Sequence, residues 1–108
     1  METLKNIEIK NLLKSGNVIK TEHLVVIFDK NSLRKPRFAF IVSKRFSKKA
    51  VERNRAKRVL REALRLYGTE LKNVACDIIL IPKKNMLNIK VWQLKPDVHY
   101  LVEKLKKC

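Results

Sequence analysis

The chain has 108 residues, with 26 Lys or Arg against 10 Asp or Glu and a formal net charge of +16. Its hydrophobic fraction of 45% is that of a globular protein, so one domain over residues 1–108 with a single core is expected. A balance this basic favours a polyanionic partner, nucleic acid or an anionic membrane surface. No apolar run approaches the roughly 18–20 residues needed to span a bilayer. The start METLKNIEIKNLL lacks a signal-peptide pattern, so a cytoplasmic protein with no membrane partner is expected. Gly16 and Gly68 are the only glycines, which excludes a Gly-rich phosphate loop. Cys76 and Cys108 lack the paired spacing of a zinc site; a buried free thiol is expected for Cys76 and an incidental tail position for Cys108.

Along the chain, Leu4, Ile7, Leu12 and Leu13 form one apolar side of a short first helix that Gly16 stops, with Ile9 off that stripe. A short strand is expected around Val18–Lys20. The β-branched run Leu24-Val25-Val26-Ile27-Phe28 predicts a buried strand. A polar loop then ends in a basic cluster at Arg34, Lys35 and Arg37. Phe38, Phe40 and Val42 alternate with Ala39, Ile41 and Ser43, which predicts a second strand antiparallel to the first. A basic helix over residues 50–66 follows and ends at Gly68. Residues 77–81 read as a further strand, closed by Pro82 and the basic loop Lys83-Lys84-Asn85. Pro96 and Asp97 open a last helix, whose buried face is Val98, Leu101, Val102 and Leu105. This order of helices and strands predicts an α+β sandwich.

The basic helix carries most of the information. Between residues 44 and 65 stand ten Lys or Arg and only two acids, Glu52 and Glu62. At 100° per residue, Ala56, Val59, Leu60, Ala63 and Tyr67 fall on one side and pack on the sheet. Asn54, Arg58, Arg61 and Arg65 project opposite. Arg53 and Lys57 take one flank, Arg55 and Glu62 the other. Two acids cannot neutralise ten bases, so this surface calls for a polyanion. Arginine suits bidentate grip on phosphate and stacking on bases. Asn54 offers both a donor and an acceptor. Lys44, Arg45 and Lys48 extend the patch to the helix N-terminus, where backbone N–H groups favour anions.

The acids are scattered, with no carboxylate cluster for a two-metal nuclease site held by protein alone. His23 and His99 lie far apart without an evident partner and are expected to be ordinary surface or edge residues. No catalytic or metal-binding residue is therefore assigned. A ribosomal or other structural RNA-binding protein fits the charge and size. A DNA-binding module is disfavoured by the absence of a helix-turn-helix pair.

The segments Ser43-Lys44-Arg45-Phe46, Ala50-Val51, Arg53-Asn54-Arg55, Lys57-Arg58 and Arg61-Glu62, followed by Asp77-Ile78-Ile79-Leu80-Ile81-Pro82, resemble the protein subunit of bacterial ribonuclease P. The resemblance covers nearly the whole chain. It implies a two-layer α/β sandwich, ribosomal-S5-domain-2-like, in the order αβββαβα with a left-handed βαβ crossover. It implies binding to a large catalytic RNA through Arg53, Asn54, Arg55, Lys57, Arg58 and Arg61. It also implies a cleft for the single-stranded 5′ leader of precursor tRNA, formed by Ile9, Leu13, Val25 and Ile27 with Lys57 and Arg61 at its edge. The RNA subunit would hold Mg²⁺ and cleave the leader from precursor tRNA, and the protein would raise substrate and Mg²⁺ affinity. No protein oligomer is indicated. The family usually carries aromatics where Ile9 and Leu13 stand, and aliphatic side chains stack less well on bases.

Overall fold

A computed structural model of the chain describes residues 3–107. The elements are α1 (Asn6–Ser15), β1 (Asn17–Lys20), β2 (Leu24–Lys30), β3 (Arg37–Phe40), α2 (Ala50–Tyr67), β4 (Cys76–Pro82) and α3 (Lys95–Leu105). Short 3₁₀ turns lie at Thr69–Asn73, Lys84–Met86 and Val91–Leu94. The order is the expected αβββαβα.

The four strands form one sheet in the order β1-β2-β4-β3. β2 runs antiparallel to β1 and β4, and β3 pairs parallel with β4. β3 thus runs opposite to β2, as expected, but is not its neighbour. The reason lies in β4, whose Ile78, Ile79 and Leu80 are all at most 1% exposed. A strand apolar on both faces belongs in the middle of a sheet, and a parallel partner then requires a long crossover, which α2 provides.

Register sets the two faces. Leu24 and Val26 lie opposite Pro82 and Leu80, and Val25 and Ile27 opposite Ile81 and Ile79. Leu24, Val26, Phe38, Ile78 and Leu80 share the main core with α2 and α3. The buried residues of α2 are the expected Ala56, Val59, Leu60 and Ala63 together with Leu64, and Tyr67 packs partly buried beside them. Val98, Leu101, Val102 and Leu105 bury one side of α3 as the periodicity predicts.

The first helix lies on the opposite face of the sheet. Leu4 and Leu12 cluster there with Ala39 and Ile79, and Ile9, Ile27, Ile41 and Ile81 pack partly buried around them. The expected apolar stripe is corrected: Ile7 is 67% exposed and Leu13 44% exposed, whereas Ile9 faces the sheet. A single short helix buries only a narrow line, Ile9–Leu12–Gly16. Gly16 ends the helix with its N–H on the Leu12 carbonyl at 2.7 Å, yet its backbone is extended (φ −73°). Its lack of a side chain serves close approach, because a Cβ would stand 2.6 Å from Ile27 Cγ2.

Asp97 does more than start α3. It is 3% exposed and accepts hydrogen bonds from Thr21 Oγ1 at 2.5 Å and the His23 N–H at 2.9 Å, with His23 Nδ1 at 3.0 Å. His23 is accordingly buried and partnered, not an ordinary surface residue; His99 is exposed, its ring edge-on to Tyr67. Burial pushes the Asp97 carboxyl up, but the bonds from Thr21 and His23 outweigh it and hold the group below its ordinary value. Cys76 is buried as expected, but it is disulfide-bonded and not a free thiol. Cys108 lies outside the described residues.

Candidate nucleic-acid interface

The apolar side of α2 is locked to the sheet and to α3, so its outward residues stand on a rigid base. Asn54, Arg58, Arg61 and Arg65 are exposed, and Arg53, Arg55 and Lys57 are partly exposed on the flanks, as the projection predicts. Among the described residues only Arg65 of the ten bases between 44 and 65 has a carboxylate partner, Glu62. That bond pulls the Glu62 carboxyl below its usual range and raises Arg65. Glu52 is taken up by the Ser47 hydroxyl instead of a base. Nine of the ten cations on and before α2 therefore make no ion pair.

The loop before α2 is held by its own bonds. Phe46 is buried and its N–H donates to the Ser43 carbonyl at 3.0 Å, which leaves Lys44, Arg45 and Lys48 exposed. Ser47 Oγ accepts the Lys49 N–H at 3.1 Å, and Arg53 Nη1 donates to the Ser47 carbonyl at 2.9 Å. Arg53 thus braces the loop with part of its donor set. Arg61 lies over the Phe40 ring, 5.5 Å from Cζ to the centroid, a cation–π contact that aims its guanidinium along the β3 edge. Phe40 was not among the expected site residues. Strand alternation could have found it, since it places Phe38 and Phe40 on the helix-covered side.

Arg37 leaves the basic cluster expected near Arg34 and Lys35. It grips both oxygens of Asp77, at 2.9 and 2.8 Å, and also pairs with Glu8. The Asp77 bond leads in raising the guanidinium above its ordinary value. Glu8 is pulled below the usual carboxylate range by the Lys5 N–H first and Arg37 second. These pairs fasten the start of α1 to β3 and β4 and take one cation out of the surface. Lys83 is likewise engaged, its Nζ donating to the Thr21 carbonyl at 2.6 Å.

The six residues expected around a cleft fall on two sides. Ile9 and Ile27 pack in one cluster on the α1 side, Val25 lies two residues from Ile27 on the same face of β2, and Leu13 is exposed on α1 outside that cluster. Lys57 and Arg61 belong to α2, on the other side of the sheet, and Arg61 reaches its edge strand through Phe40. Among the described residues no three His, Cys, Asp or Glu side chains form a group that could hold a metal ion, and no helix is long and apolar enough to cross a membrane.

The family model for Ribonuclease P matches residues 2–106. A ribonuclease P protein component from Fusobacterium nucleatum is 36% identical, over 98% of each chain. One from Dehalococcoides mccartyi is 39% identical over 90% of this chain and 78% of its own. Among solved structures, the ribonuclease P protein of Thermotoga maritima superimposes with a TM-score of 0.82 at 27% identity, covering 96% of this chain and 97% of that one. The protein from Staphylococcus aureus shares the fold, with a TM-score of 0.79 at 24% identity over 97% and 94% of the two chains. With its uncompensated cationic helix set on this sheet, and a family match over nearly its full length, the chain belongs to the ribonuclease P protein family.

Proposed function

We propose that the chain is the RNA-binding subunit of a cytoplasmic ribonuclease P, and that it works with a catalytic RNA to remove the 5′ leader of precursor tRNA. The observation that carries this reading is the run of nine unpaired cations on and before α2. Guanidinium groups on a rigid helix neutralise closely spaced phosphates and release their counterions, without any chemistry of their own. Arg53, Asn54, Arg55, Lys57, Arg58 and Arg61, with Arg65, Lys44, Arg45 and Lys48 around them, would dock the catalytic RNA. The half-open α1 face, with Ile9, Leu13, Val25 and Ile27, would take the unpaired leader.

The catalytic centre belongs to the RNA in this reading. Four of the chain's ten carboxylates are occupied elsewhere, Glu8 and Asp77 by Arg37, Asp97 by Thr21 and His23, Glu62 by Arg65, and no three of the described His, Cys, Asp or Glu side chains group together. They do not fit a Mg²⁺ site, and the ion would be held by the RNA. Hydrolysis of the phosphodiester 5′ to the mature tRNA would leave a 5′ phosphate on the tRNA and a 3′ hydroxyl on the leader. Cleavage of precursor tRNA by the cognate RNA, with and without this protein across a Mg²⁺ series, tests the proposal. The protein should lower the Mg²⁺ required and raise the rate when Mg²⁺ is scarce. An unchanged rate and Mg²⁺ requirement would overturn the reading, and cleavage by the protein alone would move the catalytic centre onto this chain.

A further inference from the structure

Trp92 is the sole tryptophan of the chain, and it is 65% exposed. Its outward position is built in. Val91–Leu94 is a 3₁₀ turn, in which side chains three apart stack on one side. Leu94 is fully buried and Val91 packs on the same core, so the turn is pinned on that side and Trp92 is left on the other. The turn is closed reciprocally, the Lys90 N–H donating to Gln93 Oε1 at 2.9 Å and the Gln93 N–H to the Lys90 carbonyl at 3.0 Å. Burying the indole would require drawing Leu94 out of the core.

The turn lies along α2. Leu87 and Asn88 line a small hollow with Glu52 and Arg55, near the start of the helix. Lys95 Nζ stands 5.8 Å from the Tyr67 ring at its end. Val91–Leu94 packs against the helix as well. Trp92 therefore stands on a segment that packs along α2, the helix that carries the cations. Leu66 of that helix is 46% exposed. Residues 83–96 contain four lysines and no acid, and Lys90 and Lys95 on either side of the indole are exposed.

We infer that Trp92 is a stacking platform for an unpaired base of the RNA held on α2. The inference rests on the RNA-binding reading above and adds a stacking contact to it. A flat apolar face among cations matches the chemistry of a single-stranded nucleotide, with its base on the indole and its phosphates on the lysines. An apolar protein surface would have to desolvate Lys90 and Lys95 to reach the same ring.

A single tryptophan makes the test direct. The cognate ribonuclease P RNA, fluorescently labelled, is titrated against the full chain while its anisotropy and the Trp92 emission are followed together. Emission should be quenched in step with binding, and acrylamide should lose access to the indole. Trp92→Ala should weaken binding about 10-fold without lowering the melting temperature, and Trp92→Phe should keep most of the affinity because a phenyl ring still stacks. Binding seen by anisotropy with emission unchanged, or a Trp92→Ala protein that binds as tightly as the parent, would overturn the inference and leave the RNA-binding reading standing. Equal quenching by a fully paired duplex would overturn the unpaired base. An emission change on concentrating the protein without RNA would assign the ring to a second copy and also overturn it. No binding by anisotropy would remove the RNA-binding reading, and this inference with it.

Discussion

On the face towards α2 and α3, Leu24, Val26, Ile78 and Leu80 are each at most 1% exposed, whereas on the α1 face only Ile79, in the central strand, is buried to that degree and Val25, Ile27 and Ile81 stay partly exposed. The same strands supply both sets, residue by alternate residue, so composition does not separate them. What differs is the cover: helices of 18 and 11 residues on one face, and one helix of 10 on the other. A sealed face turns α2 into a rigid mount for its cations. A half-covered face keeps apolar surface available to a ligand. Stability and binding should therefore separate by face, and substitutions can test that.

The largest effect is expected at Leu60, 1% exposed between α2 and the sheet. Leu60→Ala should cost about 2–5 kcal/mol in chemical denaturation, because the packed face cannot collapse around the cavity. Leu13→Ala on the open face should cost under about 1 kcal/mol. Equal losses would erase the distinction between the faces.

Next comes Asp97, at the rim of the sealed face. Asp97→Asn should cost about 1–3 kcal/mol by weakening charge-assisted bonds to Thr21 and His23. Its folded-state pKa is depressed, so its contribution is fully present above the ordinary 3.8 and is lost as pH falls below that value. Denaturation midpoints of the parent should fall on acidification below about pH 4 more steeply than those of Asp97→Asn.

The cations of α2 should affect binding alone. Arg58→Ala with Arg61→Ala should leave the melting temperature nearly unchanged while weakening RNA binding about 10- to 50-fold near 0.1 M salt. The slope of log affinity against log salt should shrink by about 1.4–1.8, from about 0.7 per phosphate on single strands to about 0.9 on duplex. An unchanged slope would take this helix out of the RNA interface.

The smallest effect is a gain. Leu13→Phe should tighten binding of a precursor with a single-stranded leader by about 1 kcal/mol, and leave binding of mature tRNA unaltered. Equal gains for both RNAs would show that the half-open face does not distinguish the leader.

Features with a local period were legible in the sequence. The packed side of α2 and that of α3 follow from 3.6-residue spacing, and the exposed Asn54, Arg58, Arg61 and Arg65 follow with them. Features that join distant residues were not. No spacing within the chain tells that β4 enters between β2 and β3. Nothing near His23 announces Asp97, 74 positions away. Arg37 reads as one more base of a loop until the fold brings Asp77 and Glu8 to it. Ile7 and Leu13 fit a helical stripe equally well, but the sheet accepts only the line through Ile9 and Leu12.

The height of α1 above the sheet is set at both of its ends. At the far end Gly16 lets the backbone press against Ile27, where even a methyl group would stand 2.6 Å from Cγ2. At the near end the Glu8–Arg37–Asp77 pairs hold the first turn down. The seating of α1 on the sheet is thus gauged by a missing side chain at one end and a guanidinium clamp at the other. One added carbon at residue 16 would press on Ile27 and Leu12, on the opposite face of the sheet from α2, so the seating of α1 can be altered without touching the cations of that helix.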